Sequence, residues 1–121
     1  MVLVTINPAK RLLYLAYVGR VDVTQMERAK KDIEDALDLL PANIRVLGDL
    51  ERLDSMDSAS STVLGQAMDL LDCKGVELSV RVIPDPSKDI GLAILSRFHY
   101  RKEVRVVTCG TMEEAARELG L

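Results

Sequence analysis

From Ile44 onward the chain alternates short apolar runs with stretches of helical periodicity, and that alternation leaves few folds open. Ile44 to Leu47, Val76 to Ile83 and Val104 to Thr108 read as strands, each too short and too β-branched for a helix. Behind them come Val63, Leu64, Ala67, Leu70 and Leu71, then Ile90, Ile94, Leu95 and Phe98, then Ala115, Ala116 and Leu119, all at the spacing of one buried helix face. Strands joined through helices run parallel in one sheet, with right-handed crossovers. The N-terminal third adds a different unit. Val2 to Ile6 alternates apolar and polar, Asn7-Pro8-Ala9-Lys10 is a turn, and Leu12 to Val18 is apolar on both faces and hence central. So short a gap makes this pair an antiparallel hairpin. After the break at Gly19 to Val23, Met26, Ala29, Ile33, Leu37 and Leu40 mark a helix that Pro41 stops. The predicted order is ββαβαβαβα: a single α/β domain over 1–121, with a mixed β-sheet, an antiparallel N-terminal hairpin and crossover helices. Strands 2–6, 12–18, 44–48, 77–83 and 104–108 share that sheet.

The helix starts are marked by capping chemistry. Thr24-Gln25-Met26-Glu27 and Thr111-Met112-Glu113-Glu114 both have capping-box spacing. In Pro84-Asp85-Pro86-Ser87, Asp85 is placed to cap and Pro86 stands at the tolerated first position. The most polar stretch is Asp49 to Ser61, with acids at 49, 51, 54 and 57 and serines at 55, 58, 60 and 61. It reads as a strand-to-helix turn leading into a helix from Ser58 to Lys74, which Gly75 ends. Ser58 falls at the N-cap or in the first turn, its hydroxyl at the surface beside Asp57. Helix N-termini favour negative charge, so a functional surface is expected here. Asp22 and Asp49 follow two strands. They either share a binding edge at the strands' carboxyl ends or tie down turns.

Composition removes several classes of function. The net charge is −3, and three Tyr, one Phe and no Trp leave little for stacking on bases, so nucleic-acid binding is not expected. No apolar run approaches the roughly 20 residues of a membrane span, and the N-terminus has no signal-peptide pattern. Cys73 and Cys109 lie far apart and read as two reduced, buried thiols of a cytoplasmic protein. His99 is the lone histidine, without a second ligand at metal-binding spacing. Phosphate-loop, dinucleotide and nucleophile-elbow motifs are missing, and Asp54 and Asp57 lie in a turn too polar to raise a carboxyl pKa by burial. No enzyme, metal or cofactor is expected. Arg97-Phe98-His99-Tyr100-Arg101-Lys102 is the most basic patch. It is either a cationic helix C-terminus or an anion site.

Four motifs carry a resemblance to the STAS domain, the fold of bacterial anti-sigma factor antagonists and of sulphate-transporter tails. Gly19-Arg20-Val21-Asp22 resembles the family's G-x-[LV]-D after the second strand, and Asp49-Leu50 stands at the end of the third. Met56-Asp57-Ser58 is similar to its D-S-S-G, whose first Ser is the phosphorylated residue of the antagonists. Thr111-Met112-Glu113-Glu114-Ala115 is similar to its T-x-E-E-A. Ala59 and Ser60 replace the second Ser and the Gly, and the segment 83–91 is more elaborate than the usual short turn. The resemblance implies a SpoIIAA-like cytoplasmic regulatory domain acting by protein–protein interaction: an anti-sigma factor antagonist phosphorylated at Ser58 by a partner kinase. Its contact residues would be Asp22, Asp49, Met56, Asp57, Ser58 and Ser60, and it would be a monomer or weak dimer. The alternative is a STAS/SEC14-like module that binds a lipid, nucleotide or other anion between the sheet and the 86–100 helix, using Arg97, Tyr100 and Arg101.

Overall fold

The computed structural model describes residues 1–85 and 89–121, with only the backbone of 89 and 90. Strand β1 (Val2–Asn7) and strand β2 (Leu12–Val21) flank a single 3₁₀ turn, Pro8–Lys10. The Asn7 side chain accepts from Lys10 N, and Arg11 closes the turn at φ 51°. Helix α1 (Val23–Leu37), β3 (Arg45–Met56), α2 (Ser58–Lys74), β4 (Leu78–Val82), α3 (Asp89–His99), β5 (Arg105–Cys109) and α4 (Met112–Leu119) follow. The element order is the one the sequence predicts. The five strands form one sheet in the order β1-β2-β3-β4-β5, antiparallel between β1 and β2 and parallel thereafter.

Strand alternation divides the core between two faces. Leu13, Leu15 and Tyr17 of β2 and Val46 of β3 point to the face covered by α1 and α2, meeting Met26, Ala29, Ile33, Leu64, Met68 and Leu71. On the opposite face Leu78, Val80 and Val82 pack with Leu12, Leu47 and Cys109 under Ala115 and Leu119 of α4. Arg45 fastens the strand starts: its guanidinium donates to the carbonyl of Leu119 and, at 2.8 Å, to that of Lys10.

Several expectations are corrected. The capping box of α1 belongs to Asp22 and Gln25, not to Thr24 and Glu27. Asp22 Oδ1 accepts from Gln25 N at 2.8 Å, and Gln25 Oε1 accepts from Asp22 N at 3.1 Å. The helix therefore begins two residues earlier, and Thr24 is an exposed first-turn residue. The Thr111 cap is present, its hydroxyl accepting from Glu114 N at 3.2 Å. Residues 49–56 are strand, not turn: β3 runs for 12 residues. Beyond Asp49 it has no β4 neighbour and pairs only with the extended end of β2, across two register shifts. On such a ribbon the charges of Glu51, Arg52 and Asp54 stay in solvent. Cys73 is exposed, whereas Cys109 is buried. The cap expected from Asp85 and Pro86 lies outside the described residues.

Candidate functional site

The β2–β3 ribbon ends at the pair Val21 and Met56, where Asp57 N donates to Val21 O at 3.1 Å. The chain turns there into α1 on one side and α2 on the other. Two helix N-termini, each with an acidic N-cap residue, thus open from the same ribbon end. Asp22 spends its carboxylate on the α1 cap. Asp57, the N-cap of α2, makes no side-chain cap bond and pairs with Arg20 at 3.4 Å across a solvent-exposed gap. Ser58 is the first helical residue and is exposed. Met56 is half-buried beside it. Ser60, which replaces the motif's Gly, points inward: it is wholly buried, and its Oγ has no hydrogen-bond partner among the described residues.

Asp49 does not join this group. It lies seven residues before Met56 on β3, about 23 Å along an extended strand. One carboxylate oxygen accepts from Tyr14 OH at 2.9 Å and the other from Glu51 N at 3.0 Å, so both serve the strand. Burial first, then the Asp49 hydrogen bond, pushes the Tyr14 phenol up to about 12. Asp22, Met56, Asp57 and Ser58 are therefore brought together, Ser60 is adjacent but inward, and Asp49 is remote.

The basic segment forms a second region. Phe98 and Ile94, expected in the buried stripe of α3, are 82% and 50% exposed. Leu95 of the expected stripe does face inward, joined by Leu92 and Ser96, and Tyr100 follows just past the helix end. That end is fastened to α2 by polar contacts. His99 Nδ1 lies 2.7 Å from Asp69 Oδ1, and Arg101 donates to Asp72 Oδ1 through both N and Nε at 3.1 Å. The His99 ring stacks over Gly65, where a Cβ would overlap it. This accounts for a glycine inside α2.

Behind α3 lies a small cavity of about 40 Å³, walled by Tyr17, Leu50, Met68, Ser79, Arg81, Leu92 and Tyr100 among others. Desolvation raises both tyrosines, with Tyr100 at about 12. On its outer side, a cleft of about 580 Å³ between α3 and β5 collects Arg97, Tyr100 and Arg101 with Arg81, Ser96, Lys102 and Thr108. Arg81 is only 5% exposed and donates to Ser96 Oγ, which donates to Leu92 O. Sequence reasoning missed Arg81 and Ser96. Arg81 alternates with Val80 and Val82 as a solvent-facing strand residue would, and only the position of α3 shows that both faces of β4 are covered.

No protein-family model and no curated protein matches the chain in sequence. Solved structures match its fold across nearly the whole length. The anti-sigma factor antagonist SpoIIAA in its unphosphorylated form is 17% identical, with a TM-score of 0.68, covering 99% of this chain and 98% of that one. The Bacillus cell fate determinant SpoIIAA in its phosphorylated form is 16% identical, with a TM-score of 0.64 and coverage of 98% and 99%. An uncharacterised protein with a SpoIIAA-like fold from Shewanella loihica is 13% identical, with a TM-score of 0.73 and coverage of 98% and 92%. The antiparallel hairpin, the parallel strands beyond it and the helices crossing the sheet are those of the STAS, or SpoIIAA-like, fold. This chain has that fold. No helix among the described residues is long and apolar enough to cross a membrane.

Proposed function

We propose that this chain is a non-catalytic STAS-like regulatory domain that works through protein–protein contacts, with Ser58 as a phosphoacceptor that switches them. The observation that carries this reading is the exposed Ser58 hydroxyl in the first turn of α2, at the ribbon end from which α1 also starts. Solved relatives in fold supply the class of behaviour, since SpoIIAA has been described both with and without its phosphate. The contact surface is formed by Arg20, Asp22, Met56, Asp57 and Ser58.

The physics of the switch follows from local charge. A phosphate adds about −1.5 to −2 charge at pH 7. At a helix N-terminus that charge meets backbone N–H groups and the positive end of the dipole, so the domain stays folded. For an acidic partner face the same charge, beside Asp22 and Asp57, is repulsive and slows association. Arg20 already reaches Asp57, the residue before Ser58, and its exposed guanidinium can redirect its charge toward a phosphate. Recovering the tagged chain from its native cells, with mass spectrometry of the intact bait and its peptides, tests the reading. It requires a co-purifying partner and a phosphate that maps to Ser58. A bait with no phosphate, or one modified only elsewhere, would count against the switch.

A further inference from the structure

The cleft between α3 and β5 is separate from the Ser58 surface, and its lining has one chemical character. Four cations line it, the buried Arg81 at the base and the exposed Arg97, Arg101 and Lys102 around the mouth, together with Ser96, Tyr100 and Thr108. Ala93, Val104 and Val106 supply an apolar wall, and no acidic residue lines it among the described residues. The chain as a whole is acidic, at −3, so this is a local concentration of positive charge against the average. Of the neighbouring acids, Asp72 pairs with Arg101 and Glu118 with Arg105, and Glu103, between Lys102 and Val104, is exposed and does not line the cleft. Arg97 and Lys102 are exposed and form no ion pair among the described residues. The volume, about 580 Å³, falls in the range of small-molecule sites, roughly 300–1,000 Å³. Val106 is 38% exposed along this wall, which leaves apolar surface for a ligand to cover.

We propose that this cleft binds a small phosphate-bearing organic molecule, its head held by Arg97 and Lys102 and its apolar body laid on Ala93, Val104 and Val106. Arg97 presents parallel guanidinium donors to phosphate oxygens and Lys102 contributes a point charge at the rim, while Arg81, bonded to Ser96, adds positive charge at the base. The phosphate could belong to a soluble ester or to a lipid headgroup, and the chemistry of recognition is shared.

The test uses the full chain, ¹⁵N-labelled, titrated with hexyl phosphate and separately with hexyltrimethylammonium. A parallel arm measures co-sedimentation with phosphatidylcholine vesicles containing phosphatidic acid. Saturable shifts of the Ala93, Ser96, Val106 and Thr108 amides with hexyl phosphate, and none with the ammonium probe, are expected for a soluble ligand. Sedimentation with the acidic vesicles alone would place the same site on a lipid headgroup. In either arm Arg97→Glu with Lys102→Glu should weaken binding at least about tenfold, while circular dichroism stays unchanged because both residues are exposed. Silence in both arms, undiminished binding by the double variant, or equal binding of the ammonium probe would overturn the site.

Discussion

Gly65→Ala should change the sign of its effect when His99 is removed. In an ordinary helix interior, Gly→Ala stabilises by about 1 kcal/mol through backbone entropy. Gly65 lies inside α2, but a Cβ there would overlap the His99 ring, with Cε1 2.8 Å and Cδ2 3.1 Å away. The ring is not free to swing aside, because Nδ1 is held 2.7 Å from Asp69 Oδ1 and Arg101 pins the following turn to Asp72. Overpacking of this kind costs about 1–3 kcal/mol, so the parent should lose between nothing and about 2 kcal/mol net. In a His99→Ala background the obstacle is gone, and the same substitution should stabilise by about 1 kcal/mol. Urea unfolding of the parent, both single variants and the double variant gives the coupling directly, provided m is unchanged. Coupling of about 1 kcal/mol or more is expected. Effects that add within about 0.5 kcal/mol would refute the argument that His99 is seated on Gly65.

The capping chemistry makes an opposed pair. Asp22→Ala should destabilise by about 0.5–2 kcal/mol, and 1 kcal/mol lowers Tm by about 4 °C in a chain of 121 residues, whereas exposed Thr24→Ala should be neutral or slightly stabilising. Thermal melts that rank the two the other way would restore the box to Thr24. Ser60→Ala removes a buried hydroxyl that has no partner among the described residues and should leave stability unchanged or raise it by up to about 1 kcal/mol; a clear loss in the same melts would mean that the hydroxyl is bonded after all. The tyrosines set an alkaline limit. Tyr14 and Tyr100 are raised to about 12 in the fold, above their ordinary value, so the stability they contribute is complete below pH of about 10 and is lost as pH rises through about 12. Phenolate absorbance should therefore appear together with unfolding, and early ionisation of all three in a folded chain would contradict the burial.

Element order and sheet pairing were legible because they rest on apolar periodicity, which burial on two faces enforces at many positions together. Local chemistry was less legible where two neighbours could do the same work. Asp22 and Thr24 are both good N-caps, and the choice fell to Asp22 because β2 continues through Gly19, at φ 71°, to Val21 and leaves the next residue at the helix start. Residues 49–56 carry turn-forming acids, but a two-stranded ribbon with open solvent on one edge accepts such residues in extended backbone. Periodicity alone places Phe98 in the core. The polar attachments of His99 and Arg101 to α2 rotate α3 so that Phe98 faces outward, and no pattern within 89–100 encodes that rotation. Arg81 could not be recognised as buried until the helix covering it was in place. The grouping of Asp22, Met56, Asp57 and Ser58 was half visible, and Asp49 was misplaced because β3 is longer than its apolar run.

The affinity of one purified partner for three forms of the chain decides whether the ribbon end is the switch. Once a partner is recovered, its Kd is measured against the unmodified chain, Ser58→Ala and Ser58→Asp under one salt condition. Equal affinity is expected for the first two and a loss of at least about tenfold for Ser58→Asp, with unchanged thermal stability in all three because the added charge sits at a helix N-terminus. Equal binding by all three forms would contradict the switch, leaving Ser58 as an exposed helix residue and placing the contact surface elsewhere on the fold.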